Sequence, residues 1–292
     1  MEKINPAMQR IRQLYESLTP KGRILGDYIL QNPRKAVFMT TKELAAAGRV
    51  SEATVVRFVT QLGYDAYSTF MQALREYVDM ELTLLERAGR PEMQGRKADR
   101  LRRVVFEEMD NLQHYYEQAD MDALIQLADL LEQSPQVFVV GSRLSYTLAY
   151  YLGWSLTKIR SGVQILKGSD STAIDWLTIA PAGSLVIMIA TTRYPNELIK
   201  LGKVVRRQGH TLAVMADSNI CPLTHFAHHA IIAPSRHIPF IGSIAIMGCI
   251  INYLSQELAA RNGGTVPRHQ ERLEQAYREN DILFNLNPDD MD

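Results

Sequence analysis

The chain has 292 residues, enough for two domains of ordinary size, each able to bury its own core. Lys plus Arg and Asp plus Glu both number 32, and the resulting net charge of zero excludes a polybasic coat, leaving only local patches for any nucleic-acid contact. Two cysteines, Cys221 and Cys249, fit a reducing compartment better than a disulfide framework.

No charged-then-apolar signal opens the chain, and no apolar run reaches the roughly 18 residues of a membrane span. A cytoplasmic protein with no membrane partner is therefore expected. Residues 6–17 read as a first helix. Thr19-Pro20 then starts a second, with Thr19 as N-cap and Pro20 at the first helical position, and Ile24, Leu25, Tyr28 and Ile29 repeat at helical spacing. Asn32-Pro33 ends it, because proline disfavours the helical conformation of the residue before it.

The stretch 40–63, TTKELAAAGRVSEATVVRFVTQLG, predicts two short helices joined by a tight turn. Thr40 and Glu43 fit a capping box for the first, over 41–47. Gly48 supplies the left-handed backbone expected at its end, Ser51 caps the second helix, and Gly63 stops it near Leu62. In the second helix Val55, Phe58, Val59 and Leu62 share one face and pack. Ala53, Thr54, Arg57, Thr60 and Gln61 lie towards the other.

A free face of small and hydrogen-bonding side chains with one arginine suits a recognition helix in a DNA major groove. Ser51, Ala53, Thr54, Arg57, Thr60 and Gln61 are the candidate DNA contacts, with Arg57 able to fork onto a guanine. The competing reading is the solvated face of an ordinary amphipathic helix; the flanking sequence favours DNA. Residues 1–78 hold eleven Lys or Arg against seven Asp or Glu, a local surplus of the right sign. A helix over 67–86, with Phe70, Leu74, Tyr77 and Val78 as its stripe, completes a domain over 1–87. The glycine- and proline-bearing run AGRPEMQGRKAD then marks a linker over 88–100.

Residues 101–132 keep helical spacing through Val104, Val105, Met109, Leu112, Leu124, Leu127 and Leu131. The period then changes. Short Val- and Ile-rich runs at 136–140, 163–166, 185–189, 211–215 and 230–233, separated by helix-length stretches, predict buried parallel strands. The fold class is thus an all-α helix-turn-helix bundle followed, over 101–262, by a doubly wound α/β domain with a five-stranded parallel sheet. A tail over 263–292 is expected to be helical around 271–278.

Two strand ends carry the second signal. Gly141, Ser142, Arg143 and Ser145 follow the first strand and open a helix over 146–159. Thr191, Thr192, Arg193 and Glu197 follow the third and open a helix over 198–207. Both loops set hydroxyls and backbone amides at a helix N-terminus, where the dipole favours an anion, and each adds an arginine. Ser and Thr are also ordinary helix caps, but two matching loops at ligand-binding strand ends favour a small anionic metabolite as partner.

A helix-turn-helix reading SEATVVRFVTQLGYDAYSTF, preceded by TPKGRILGDYILQNP and followed by a linker and an α/β domain, resembles the RpiR/MurR family of bacterial transcription regulators. In that family the C-terminal part is a sugar isomerase (SIS) domain. The resemblance covers nearly the whole chain and implies a regulator, not an enzyme, whose effector is a phosphorylated sugar or sugar acid. The family's loops read G-x-G-x-S and S-x-S-G-x-T-x-E. This chain keeps Gly141, Ser145, Thr192 (for serine) and Glu197, but has Arg143 and Arg193 at usual glycines, Ala190 for the first serine and Pro195 for the threonine.

No cofactor is expected. His225, His228 and His229 lack a cysteine or carboxylate cluster to complete a metal site. The apolar run 241–258 is either a buried helix or a subunit interface. Its place after the last strand, and the need of such readers for two half-sites, favour an interface in a homodimer or dimer of dimers. The alternative function is a sugar-phosphate isomerase with an attached DNA-binding domain, for which Glu197, His237 and His269 are the available acids and bases.

Overall fold

The structure, a computed structural model, describes residues 6–37, 39–81, 97–169, 171–191, 193–234 and 243–282. The chain divides into two compact units, Met1–Met93 and Gln94–Asp292. In the first, α1 (Pro6–Leu14) runs into a 3₁₀ turn, followed by α2 (Pro20–Gln31), a short α3 (Pro33–Ala36), α4 (Thr41–Ala47), α5 (Glu52–Gln61) and α6 (Tyr67–Glu81). The α3 turn is additional to the expected helices: Pro33 ends α2 and, with its fixed φ, begins the next turn.

These helices close on one core that includes Ile11, Leu25, Ile29, Leu44, Val55, Phe58, Leu62, Phe70 and Leu74. Phe58 meets Phe70 edge-on with ring centroids 6.1 Å apart, a favoured aromatic geometry. Tyr67 donates from its hydroxyl to the Met39 carbonyl at 2.9 Å, tying α6 to the chain before α4, and burial raises its pKa. The Tyr77 side chain lies outside the described ones.

The second unit opens with α7 (Lys97–Gln118), so residues 97–100 of the expected linker are helical; 82–96 lie outside the described residues. The helical spacing of 101–132 breaks at Asp120, which accepts from the Ala123 amide at 3.0 Å and starts α8 (Met121–Gln133). Then follow β1 (Val137–Gly141), α9 (Leu144–Thr157), β2 (Val163–Lys167), α10 (Ser171–Ile179), β3 (Leu185–Ala190), α11 (Asn196–Arg207), β4 (Thr211–Ala216), β5 (His229–Ile232), α12 (Ala245–Arg261) and α13 (Val266–Glu279).

All five strands are parallel, in the order β2-β1-β3-β4-β5. Every residue of β1 and β3 is buried, as strands covered on both faces must be. One face packs Val137, Val139, Ile187 and Met215 against α8, α9 and α12. The other packs Phe138, Val140, Val186 and Val214 against Leu177 of α10 and Leu198, Leu201 and Val205 of α11. This winding reverses between β1 and β3, the crevice where doubly wound sheets bind ligands.

The apolar residues of α12 serve this core. Ile246, Met247, Ile250, Ile251, Leu254 and Leu258 are buried within their own unit, so the sheet accounts for this apolar face of the helix without a second subunit. At its end Arg261 pairs with Glu257 at 2.8 Å and with Asp129 of α8. Burial pushes the Cys221 thiol up to about 12, consistent with an inert core residue. His228 accepts the Leu212 amide at Nδ1, 2.9 Å away, and so braces β4. No metal-holding cluster of His, Cys, Asp or Glu occurs among the described residues.

Candidate functional site

The helix pair α4–turn–α5 is built by local chemistry. Glu43 and Thr40 form the full capping box: the Glu43 amide donates to Thr40 Oγ1 at 3.2 Å, and the Thr40 amide donates to the Glu43 carboxylate at 2.7 Å. The Thr40 amide and hydroxyl, both donating to it, hold the Glu43 carboxyl below the usual carboxylate range. At the other end the left-handed residue is Arg49, with φ 51°, while Gly48 has an ordinary helical φ of −83°. The Val50 amide reaches back to the Ala45 carbonyl at 2.9 Å and the Arg49 amide to Ala46 at 3.1 Å, a Schellman ending shifted one residue past the glycine.

Gly48 sits close against α2 instead, and a Cβ there would stand 2.7 Å from Leu25 Cδ2, so Leu25 would have to shift. Ser51 caps α5 through the Thr54 amide at 3.3 Å, and Gly63, with φ 81°, ends it as expected. Val55, Phe58, Val59 and Leu62 are buried. The expected free face needs two corrections. Thr54 is only 7% exposed and its hydroxyl is bonded to Ser51 Oγ at 2.9 Å, so it completes the cap. Gln61 is exposed, but its Nε2 donates to the Ser17 carbonyl at 2.9 Å and tethers α5 to the chain entering α2.

Arg10 holds the same end of α5 from the other side. Its Nη1 donates to the Leu62 and Gly63 carbonyls at 3.2 and 3.1 Å, and its guanidinium stacks 4.8 Å from the Tyr64 ring centroid. What α5 leaves free to solvent is Ala53, Val56, Arg57 and Thr60, with Ser51 and Glu52 at the start. Val56 belongs to no face in the sequence reading. Its neighbour Val55 absorbs the apolar count, and period alone leaves residue 56 at the border.

In the second unit the loops after β1 and β3 lie side by side, because β1 and β3 pair directly. Gly141 ends β1 with the first turn of α9 seated on it: a Cβ there would fall 2.4 Å from the Ser145 carbonyl oxygen. Ser145 Oγ accepts the Thr191 amide at 3.0 Å and shares a hydrogen bond with Thr191 Oγ1 at 2.9 Å. Ser142 donates to the Glu197 carboxylate in the first turn of α11. Gly168 follows β2 with φ 70°, a Cβ there standing 3.3 Å from Glu197 Oε1, so glycine leaves room for the carboxylate.

The hydroxyls of Ser142, Ser145 and Thr191 thus knit the loops together. The arginines face outward from the same place: Arg143 and Arg193 are both exposed. Both also adopt positive φ, 56° and 67°. Arg143 has ψ −127°, in a region open essentially to glycine and costing about 1–3 kcal/mol for other residues. Neither arginine pairs with Glu197 among the described residues. Thr192 and His237 lie outside the described residues.

The sequence reading passes over Lys167. It ends β2 opposite Gly141, is exposed, and carries its ammonium 5.5 Å from the Tyr146 ring centroid. A cation as the last strand residue before a glycine is the signal that could have found it. The loops and strand ends at the C-terminal edge of β1, β2 and β3 therefore carry three exposed cations, Arg143, Lys167 and Arg193, charges able to hold a small anion. Of the proposed isomerase groups, His269 Nε2 is instead bonded to the Thr157 carbonyl at 2.8 Å, between α13 and the end of α9.

Comparison with known proteins identifies the two domains that carry these surfaces. Residues 6–81 match the helix-turn-helix domain of the rpiR family, and residues 130–259 match the SIS domain. The chain is 25% identical over 211 residues to the HTH-type transcriptional regulator YfhH of Escherichia coli (strain K12), covering 70% of this chain and 73% of that protein. It is 24% identical over 203 residues to the HTH-type transcriptional regulator HexR of Pseudomonas aeruginosa, 69% of this chain and 70% of that one. Among solved structures, Vibrio vulnificus NanR complexed with ManNAc-6P matches with TM-score 0.56 and 21% identity, over 96% of this chain and 100% of that chain. The sugar isomerase domain of an RpiR transcription factor from Sphaerobacter thermophilus matches with TM-score 0.56 and 21% identity, over 59% of this chain and 97% of that one. Both share its fold.

Proposed function

Because the chain belongs to the rpiR-type helix-turn-helix transcriptional regulators that carry a SIS domain, we propose that it reads an operator with α5 and senses a sugar phosphate or sugar acid at the β1 and β3 loops. The observation that carries the effector reading is the pair of exposed arginines held in left-handed backbone at the sheet's switch point. Glycine would be less strained at Arg143, so the side chain has to be worth keeping. A guanidinium fork matches a phosphate or carboxylate, and Lys167 adds a third charge nearby. Glu197 is suited to accept a sugar hydroxyl in place of that of Ser142. The ManNAc-6P bound by NanR supports the same effector class.

Calorimetry of the full chain against hexose 6-phosphates, N-acetylhexosamine 6-phosphates and sugar acids tests this reading. A ligand is expected whose affinity falls about 10- to 100-fold in Arg143→Ala and in Arg193→Ala, the scale of one lost charge-assisted hydrogen bond. If both variants bind it as tightly as the parent, the arginine clamp is wrong. The role is regulatory rather than enzymatic, and the same sugar phosphates are expected to be recovered unisomerised after incubation. A cytoplasmic location follows from a DNA target, and no helix among the described residues is long and apolar enough to cross a membrane.

Reading two half-sites calls for two copies. With α12 used internally, the exposed apolar side chains of α7 are the better surface for a second copy: Leu101 is 69% exposed and Met109 59%. Light scattering on the full chain is expected to return a dimer or a dimer of dimers. The double variant Leu101→Asp, Met109→Asp is expected to return a smaller species, and an unchanged mass would remove α7 from the interface.

A further inference from the structure

We propose that Val56 is a specificity-determining residue, which reads the C5-methyl group of a thymine in the operator; this rests on the assignment of α5 as the DNA reader. Val56 is 51% exposed in a helix whose other large apolar side chains are buried. Among the described residues of the first unit, Ile24 is the other large apolar side chain exposed to that degree. Exposed valine is costly for α5 in two ways. Its β-branch loses rotamer freedom in a helix, and its methyls face water where lysine, glutamate or alanine would serve a solvated surface better.

Its position gives it a use. At 100° per residue, Ala53 and Thr60 lie at the middle of the free face, with Val56 on one flank and Arg57 on the other. Thr60 turns its hydroxyl back to the Val56 carbonyl at 3.1 Å, which removes a polar competitor from beside the valine. The Ala53 methyl and the Val56 isopropyl group thus form a short apolar edge beside a guanidinium fork. In the major groove only the pyrimidine C5-methyl answers an apolar edge, whereas guanine O6 and N7 answer the fork. Unmodified DNA carries that methyl on thymine; methylated DNA also carries it on cytosine.

The experiment uses full-length protein and a pool of duplexes with a randomised centre. The enriched duplex is resynthesised with each thymine replaced singly by deoxyuridine, which removes the methyl and nothing else, and separately with single cytosines replaced by 5-methylcytosine. Burial of one methyl corresponds to roughly fourfold in affinity per half-site. We expect deoxyuridine at one position of each half-site to weaken the parent by about that factor. Val56→Ala is expected to weaken binding to the thymine duplex similarly and to lose the sensitivity to deoxyuridine there. Since the side chain is exposed, the variant keeps its fold, checked by circular dichroism.

The proposal is overturned if no deoxyuridine substitution weakens the parent, if Val56→Ala remains as sensitive as the parent, or if only 5-methylcytosine alters binding. A pool in which nothing is enriched overturns the DNA-reading assignment of α5 itself. Enrichment with silent deoxyuridine overturns the role of Val56 alone.

Discussion

Arg57→Ala is expected to abolish specific operator binding while leaving the fold intact. Arg57 is exposed beside Val56 on a helix fixed at its start by Ser51 and at its end by Arg10 and Gln61. The loss should therefore fall on DNA rather than on packing. A bidentate guanine contact is worth about 1–3 kcal/mol. Two copies on two half-sites double it, so even the low end is roughly 30-fold in affinity. Gel-shift titration at fixed salt, against the enriched duplex and a scrambled one, measures it.

Arg57→Lys separates the two ways an arginine can matter. If Arg57 reads a base, lysine keeps the charge but loses the fork, so specificity falls while binding to the scrambled duplex is retained. If Arg57 only holds a phosphate, lysine restores both, and alanine reduces affinity for all duplexes alike and lowers the salt dependence by about one charge per copy. Unchanged affinity of a folded Arg57→Ala protein would rule it out as a contact of either kind.

The backbone chemistry of the first unit was largely legible, because caps are written in adjacent residues. Thr40 with Glu43, Ser51 before α5, and Thr19-Pro20 each specify a helix start by a bond spanning three residues. The misassigned turn shows where such signals end. Gly48 has the right residue type for a left-handed cap, yet it keeps a helical φ with Leu25 of α2 packed close against it, and the left-handed position falls on Arg49. The bonds of Thr54 and Gln61 escape the sequence for a related reason: helical period orders side chains around an axis but does not reveal a hydroxyl satisfied locally or an amide bonded 44 residues away.

In the second unit the strands announced themselves by unbroken Val and Ile runs and, while their order in the sheet is read from the structure alone, their parallel pairing followed from alternation with helices. The use of α12 did not. A helix apolar on most faces is consistent with burial by its own sheet or by a second subunit, and its packing beside α8 and α9 on one sheet face is not written in its own residues. At the candidate effector site the hydroxyl pairings join residues 46 and 55 positions apart, beyond any local pattern. The left-handed backbone of both arginines was likewise invisible, since residue type argues against it.

Gly141→Ala is expected to destabilise the second unit by about 3 kcal/mol, the upper part of the range for overpacking. The added Cβ would lie 2.4 Å from the Ser145 carbonyl oxygen, 2.7 Å from its carbon and 2.8 Å from the Tyr146 nitrogen. All three are backbone atoms of the first turn of α9, so no side chain can rotate away. Relief requires α9 to withdraw from the end of β1, which pulls Ser145 from Thr191 and opens the seam between the two loops. Gly248→Ala is the matched control. Within α12 its Cβ would meet nothing within 4 Å, so the substitution should stabilise by about 0.5–1 kcal/mol through helix propensity alone. The two tryptophans, Trp154 in α9 and Trp176 in α10, both belong to the second unit, so fluorescence-monitored urea unfolding reports that unit without interference from the first. The midpoint should fall for Gly141→Ala and rise for Gly248→Ala at unchanged slope. A Gly141→Ala protein that unfolds at the parent's midpoint would show that the seating of α9 on β1 does not depend on the missing side chain, and would remove the steric basis for the shape of the effector loops.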